Sequence, residues 1–84
     1  MRDRLEPATP LAAVQRAWTE AVGEAVAREA QPVSERAGVV TVACRSAVWA
    51  QELDLMAPAV IDRLNQAAGG PLVRGLRCTA RGVG

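Results

Sequence analysis

Residues 46–65 of this 84-residue chain place Trp49, Leu53, Met56, Val60 and Leu64 at steps of four, three, four and four, one stripe of a helix lying between two segments that read as strands. No other feature constrains the fold as much. A helical crossover between two strands of one sheet predicts that the second runs parallel to the first. Gln51, Glu52, Asp54, Asp62, Arg63 and Asn65 fall off the stripe. Ser46 stands ahead of the run, where its hydroxyl can accept from the first free helix N–H groups. Pro58 lies inside the run. A proline in a helix interior removes one backbone hydrogen bond and clashes with the preceding turn, at about 3 kcal/mol. The segment therefore either kinks or divides into two helices, 47–56 and 58–67, with Pro58 opening the second.

The flanking segments follow the same logic. Val39, Val40, Thr41, Val42, Ala43 and Cys44 are short and β-branched, hence a strand. Residues 33–36 are its weaker partner, reached through Pro32, which a sheet tolerates at a strand start or an edge. Ala37-Gly38 marks the turn. Alanine is poor where φ must be positive, so a type I turn closed by Gly38 is expected over a two-residue primed turn. Upstream, Thr9 caps a helix with Pro10 in its first turn, and Leu11, Val14, Trp18, Val22 and Val26 recur at helical spacing. Gly23 interrupts that helix at about 1 kcal/mol and marks a bend or a close backbone approach. After Gly69-Gly70-Pro71, residues 72–80 read as a last strand with Leu76 and Cys78 facing in. Arg74 shares their parity and must sit at a strand edge or snorkel.

The order α-β-β-α(α)-β predicts an α+β two-layer sandwich with a three-stranded mixed sheet. Residues 1–8 are expected to be a leader, 9–80 a single domain and 81–84 a tail. Half the residues are apolar, yet the only aromatic residues are Trp18 and Trp49, so the core must be built from Val, Leu, Ala and two indoles. No run of eighteen apolar residues occurs and the first residues hold no apolar stretch. Neither a membrane span nor a signal peptide is expected, which points to a cytoplasmic location. Cys44 and Cys78 are read as two reduced, buried thiols, and no Cys-x-x-Cys is present.

The chain has no His and no Lys. A Lys-bearing phosphate loop, a Schiff base, a His-based zinc site and a Ser–His or Cys–His pair are thereby excluded. The nine acids are scattered at solvent-type positions. No catalysis, cofactor, metal or small-molecule substrate is expected. Residues 1–68 carry seven Arg against nine acids, while residues 69–84 carry Arg74, Arg77 and Arg81 and no acid. Those three, joined by Arg45, are either an ordinary solvated strand and tail or a patch for weak, salt-sensitive contact with single-stranded phosphate backbone.

Several pieces in order resemble the DciA family of bacterial replicative-helicase loaders. They are Ala17-Trp18 with Val22-Gly23, then Ala30-Gln31-Pro32-Val33 and Gly38-Val39-Val40-Thr41-Val42. Next come Ala47-Val48-Trp49-Ala50-Gln51-Glu52-Leu53, then Arg63-Leu64-Asn65, and finally the strand from Val73 to Arg77. The resemblance spans about residues 10–80. It implies a KH-like domain with no ATPase of its own, whose partner is the hexameric replicative DNA helicase and which assists helicase placement on single-stranded DNA. The Gly-x-x-Gly loop by which KH domains clamp a nucleic-acid backbone is missing. Its place holds Leu55-Met56-Ala57-Pro58. Under this resemblance Trp18 and Trp49 are the anchor candidates for docking, with Trp18 expected at the interface and Trp49 in the core. Gln51, Glu52, Arg63 and Asn65 are further partner-binding candidates. For the first two the structural alternative is to cap or brace the hairpin; for the last two it is a helix C-terminal cation and a polar residue near the cap. A competing reading is a KH-like single-stranded nucleic-acid module with no helicase partner.

Overall fold

The computed structural model describes residues 10–80. The leader, the Thr9 cap, the tail and Arg81 lie outside the described residues. Helix α1 (Pro10–Val22) buries Val14, Ala17, Trp18 and Ala21, one stripe of its surface. It stops at Gly23, whose φ of +92° only glycine takes without strain, and the chain restarts as α2 (Glu24–Glu29). Nothing lies within 4 Å of where a Gly23 Cβ would stand, so this glycine serves a bend and not a close approach.

Strand β1 (Ala30–Arg36) begins earlier than expected. Ala30 and Gln31 already pair with Cys44 and Ala43, and Pro32 sits inside the strand opposite Val42. The sheet accepts Pro32 because β1 is an edge strand, with the order β1-β2-β3. The register then passes from Pro32↔Val42 to Ser34↔Thr41, so Val33 is an extra, bulged residue, 45% exposed.

The pairing Arg36↔Val39 leaves Ala37-Gly38 as a two-residue loop with φ of +54° and +86°. This is a primed turn, contrary to the type I turn expected. A two-residue hairpin must follow the right-handed twist of its strands, and primed turns do so. The left-handed conformation costs alanine about 1–2 kcal/mol. Local bonds offset that cost. Glu35 Oε2 accepts from the Gly38 N–H at 2.7 Å, and the Gly38 carbonyl accepts from Arg74 and Gly75 at 2.8 and 3.3 Å.

Strand β2 (Val39–Cys44) is central and turns Val40, Val42 and Cys44 into the core. Ser46 then caps α3 (Ala47–Leu55), its hydroxyl accepting from the Trp49 N–H at 3.3 Å. Pro58 lies in the first turn of α4 (Ala57–Ala68), so the run divides and does not merely kink. The break moves Met56 off the shared stripe, leaving it 45% exposed while Leu53, Val60 and Leu64 are buried. Gly69, in the left-handed region, closes α4.

Strand β3 (Gly75–Ala80) starts at 75, not 72, and runs parallel to β2 from Val39↔Gly75 to Cys44↔Ala80. Arg74 precedes the strand and is exposed, so its expected conflict of parity does not arise. Among the described residues four helices cover one face of a three-stranded mixed sheet, the expected two-layer α+β sandwich. Among the described residues no helix is long and apolar enough to cross a membrane.

Candidate partner-docking and nucleic-acid surfaces

The two tryptophans differ in burial in the reverse of the order expected. Trp18 is 3% exposed and its indole N–H donates to the Ala30 carbonyl at 2.8 Å, tying α1 to the first residue of β1. It is a core residue and has no surface to offer a partner. Trp49, in the first turn of α3, is half-buried and packs against the core with one side only. The sequence does not separate them because both sit on apolar stripes. The difference is positional: α1 lies across the sheet, whereas Trp49 stands where α3 has just left it.

The outward face of α3 carries a patch that the stripe does not reveal. Val48, Gln51, Glu52 and Leu55 step by three, one and three, hence one helix face, and all four are exposed. Val48 and Leu55 are 68% and 73% exposed, with Met56 following. Within α3 only Leu53 is fully buried. The helix therefore has apolar residues on both sides, and the outer set does nothing for the fold. A reading of amphipathicity sends every apolar residue inward, so Val48 and Leu55 escape it. Gln51 and Glu52 lie between them.

Arg63 is exposed on α4. Asn65 is half-buried and its side-chain amide is engaged within the chain. Its Oδ1 accepts from the Leu72 and Val73 N–H groups at 2.9 and 2.7 Å, and its Nδ2 donates to the Val73 carbonyl at 2.9 Å. Its own carbonyl accepts from Gly69 and Gly70. This one side chain fixes the path from α4 into β3. That is a structural task, the kind of alternative expected for a polar residue at this helix end.

The other face of the sheet is left open by the helices. It carries Ser34, Thr41 and Arg77 in one row and Gln31, Ala43 and Thr79 in the next. Arg36, Val39, Ser34, Thr41 and Arg77 line one shallow depression of about 620 Å³, with Glu35 and Ala37 at its rim. Linear charge distribution misses Arg36, because it places the basic excess after residue 68. Folding redistributes that excess. The four helices hold three arginines against six acids, whereas the strands and their loops hold Arg36, Arg45, Arg74 and Arg77 against Glu35 alone. Arg74 stands beside the hairpin turn, its Cγ 3.0 Å from where a Gly38 Cβ would be. Arg45 follows Cys44 at the opposite end of β2, exposed, its N–H bonded to the Glu29 carbonyl at 2.8 Å.

Cys44 and Cys78 are free thiols. Burial raises both pKa values, and that of Cys78 is pushed up to about 11 by burial, Cys44 and Asp54. Neither thiol has the lowered pKa of a nucleophile at neutral pH. Among the described residues no three His, Cys, Asp or Glu side chains come together as a metal site.

Comparison with known proteins fits this geometry. The family model described as "Dna[CI] antecedent, DciA" matches residues 2–78. A UPF0232 protein of Rhodococcus jostii is 34% identical over 62 residues, 74% of this chain and 33% of that protein. One of Streptomyces avermitilis is 39% identical over 67 residues, 77% of this chain and 37% of that protein. One of Mycobacterium tuberculosis is 32% identical over 62 residues, again 74% of the chain. The chain spans about a third of the length of these curated relatives.

Proposed function

The chain belongs to the DciA family, and from that premise we propose that it is a non-enzymatic adaptor of DNA replication that docks on the replicative DNA helicase and assists its placement on single-stranded DNA. The observation that carries the docking half is the outer face of α3. A small domain that must build its core without Phe or Tyr nevertheless leaves Val48, Leu55 and Met56 in water. An apolar patch with a polar rim is the anatomy of a protein interface. Gln51 and Glu52 supply the rim and half-buried Trp49 the anchor beside it. Arg63 joins them if the interface extends onto α4.

The open sheet face supports the DNA half. Arg36 and Arg77 share one depression with hydroxyl groups around it, and Arg45 and Arg74 stand at the two ends of the sheet; Arg81, outside the described residues, remains a candidate from the sequence alone. Such a surface holds phosphates without reading bases, since neither tryptophan lies on it to stack them. The test is titration of the purified domain against the cognate helicase at moderate salt, with single-stranded DNA as a parallel titrant. Micromolar or tighter helicase binding supports the adaptor. Binding to DNA alone favours the second reading, a stand-alone nucleic-acid module, for which the basic sheet face is the observation.

A further inference from the structure

Four consecutive residues of β3, Leu76, Arg77, Cys78 and Thr79, line one opening of about 450 Å³, closed on its far side by Ala50, Gln51 and Asp54 of α3. Successive strand residues turn their side chains to opposite faces of a sheet. A groove that touches all four therefore runs along the backbone of β3, beside its free edge. The two edges of this sheet are unlike. Strand β1 carries Pro32, a bulge at Val33 and the charged pair Glu35 and Arg36, each of which discourages further pairing. Strand β3 has no proline, no bulge and no acid, and among the described residues no strand lies on its outer side.

We propose that this edge receives an extended segment of a partner polypeptide as a fourth strand, with a basic side chain turned toward Asp54. The backbone of β3 supplies the affinity and the α3 wall supplies the selectivity, as in strand addition generally. Ala50 leaves space for the incoming side chain, Gln51 can both donate and accept, and Asp54 gives the wall its charge. Asp54 and Cys78 line the same opening. A phosphate backbone fits poorly here. Among the described residues Arg77 is the one cation lining the opening and Asp54 stands across from it on α3, which has no Arg, while Leu55-Met56-Ala57-Pro58 offers neither glycine nor cation. The free backbone edge together with Asp54 favours a polypeptide there. The inference differs from the adaptor reading in its contact, a strand edge in place of an apolar helix face, although Gln51 borders both surfaces and Arg77 lines both openings.

The test uses two synthetic peptides and the isotope-labelled chain. One is acetyl-Thr-Lys-Val-Lys-Val-Lys-Thr-amide; the other has the same side chains with its three central backbone nitrogens methylated. Amide shifts confined to residues 50–54 and 75–80, with slowed hydrogen exchange along β3, are expected for the first peptide. The methylated peptide should bind at least about tenfold more weakly, because it lacks the donors that pair with the edge. Asp54→Asn should weaken the first peptide about two- to fivefold, the worth of one exposed ion pair. Equal binding of the two peptides overturns the proposal, as does a peptide footprint elsewhere. So does a ten-nucleotide thymidine strand that shifts the groove residues while the peptide leaves them unmoved.

Discussion

The helical layer and the open sheet face share one core but have opposite surfaces. The helices are acidic on balance and expose aliphatic side chains on α3, while the sheet side is basic and its open face carries Ser34, Thr41 and Thr79 around Arg77. Each strand contributes to both layers by alternation: Val40 and Val42 face the helices, Thr41 faces away. A single short strand can therefore hold a core and a binding surface together with no cavity between them. The proposed docking patch on α3 and the proposed phosphate face of the sheet thus occupy separate areas of the surface.

That contrast can be broken or sharpened by substitution. The largest effect belongs to the helical layer's interior. Trp18→Ala removes the largest buried side chain and the bond to Ala30, and should cost about 3–5 kcal/mol in denaturant unfolding. A mild drop in stability together with abolished helicase binding would return Trp18 to the interface. Next is the junction between the layers. Asn65→Ala strands the Leu72 and Val73 backbone groups and should cost about 2–3 kcal/mol, with hydrogen exchange accelerated first at residues 72–75.

On the sheet face, Arg36→Glu with Arg77→Glu should leave the melting temperature nearly unchanged. Affinity for single-stranded DNA should fall about tenfold or more, and the salt slope should flatten by about 0.7 for each phosphate no longer neutralised. An unchanged slope would mean that the polyanion sits elsewhere. The smallest effect is one of pH. The Cys78 thiol is raised from 9.0 to about 11 in the folded state, so between these values the unfolded chain holds fewer protons and stability falls as pH rises. That decline should be smaller in Cys78→Ser, where only the contribution of buried Cys44 remains, and alkylation of the native Cys78 thiol at pH 8 should be slow.

Much of this molecule is legible from periodicity and caps. The crossover helices, the Ser46 cap, Pro58 opening α4, the central β-branched strand and the parallel pairing of β3 all follow from local chemistry acting in one direction. The departures arise where tertiary demands override a local preference. Ala37 accepts a left-handed φ because hairpin twist requires it and Glu35 secures the neighbouring N–H. Pro32 enters the strand because the edge position forgives a missing donor. Asn65 reads locally as a polar residue at a helix end, and nothing nearby shows that three backbone groups seven and eight residues downstream converge on it. The surfaces are harder to read. Val48 and Leu55 are apolar, and periodicity alone sends them inward; Arg36 joins Arg77 only through pairing across β2.

The central claim, that docking resides on the outer face of α3 and is separate from the sheet face, is tested most directly by titrating the helicase with Val48→Asp/Leu55→Asp, with single-stranded DNA as the second titrant. At least about a tenfold loss of helicase affinity is expected, with unchanged DNA affinity and a melting temperature close to that of the parent chain. Undiminished helicase binding by this folded variant, or an equal loss of both affinities, would contradict it.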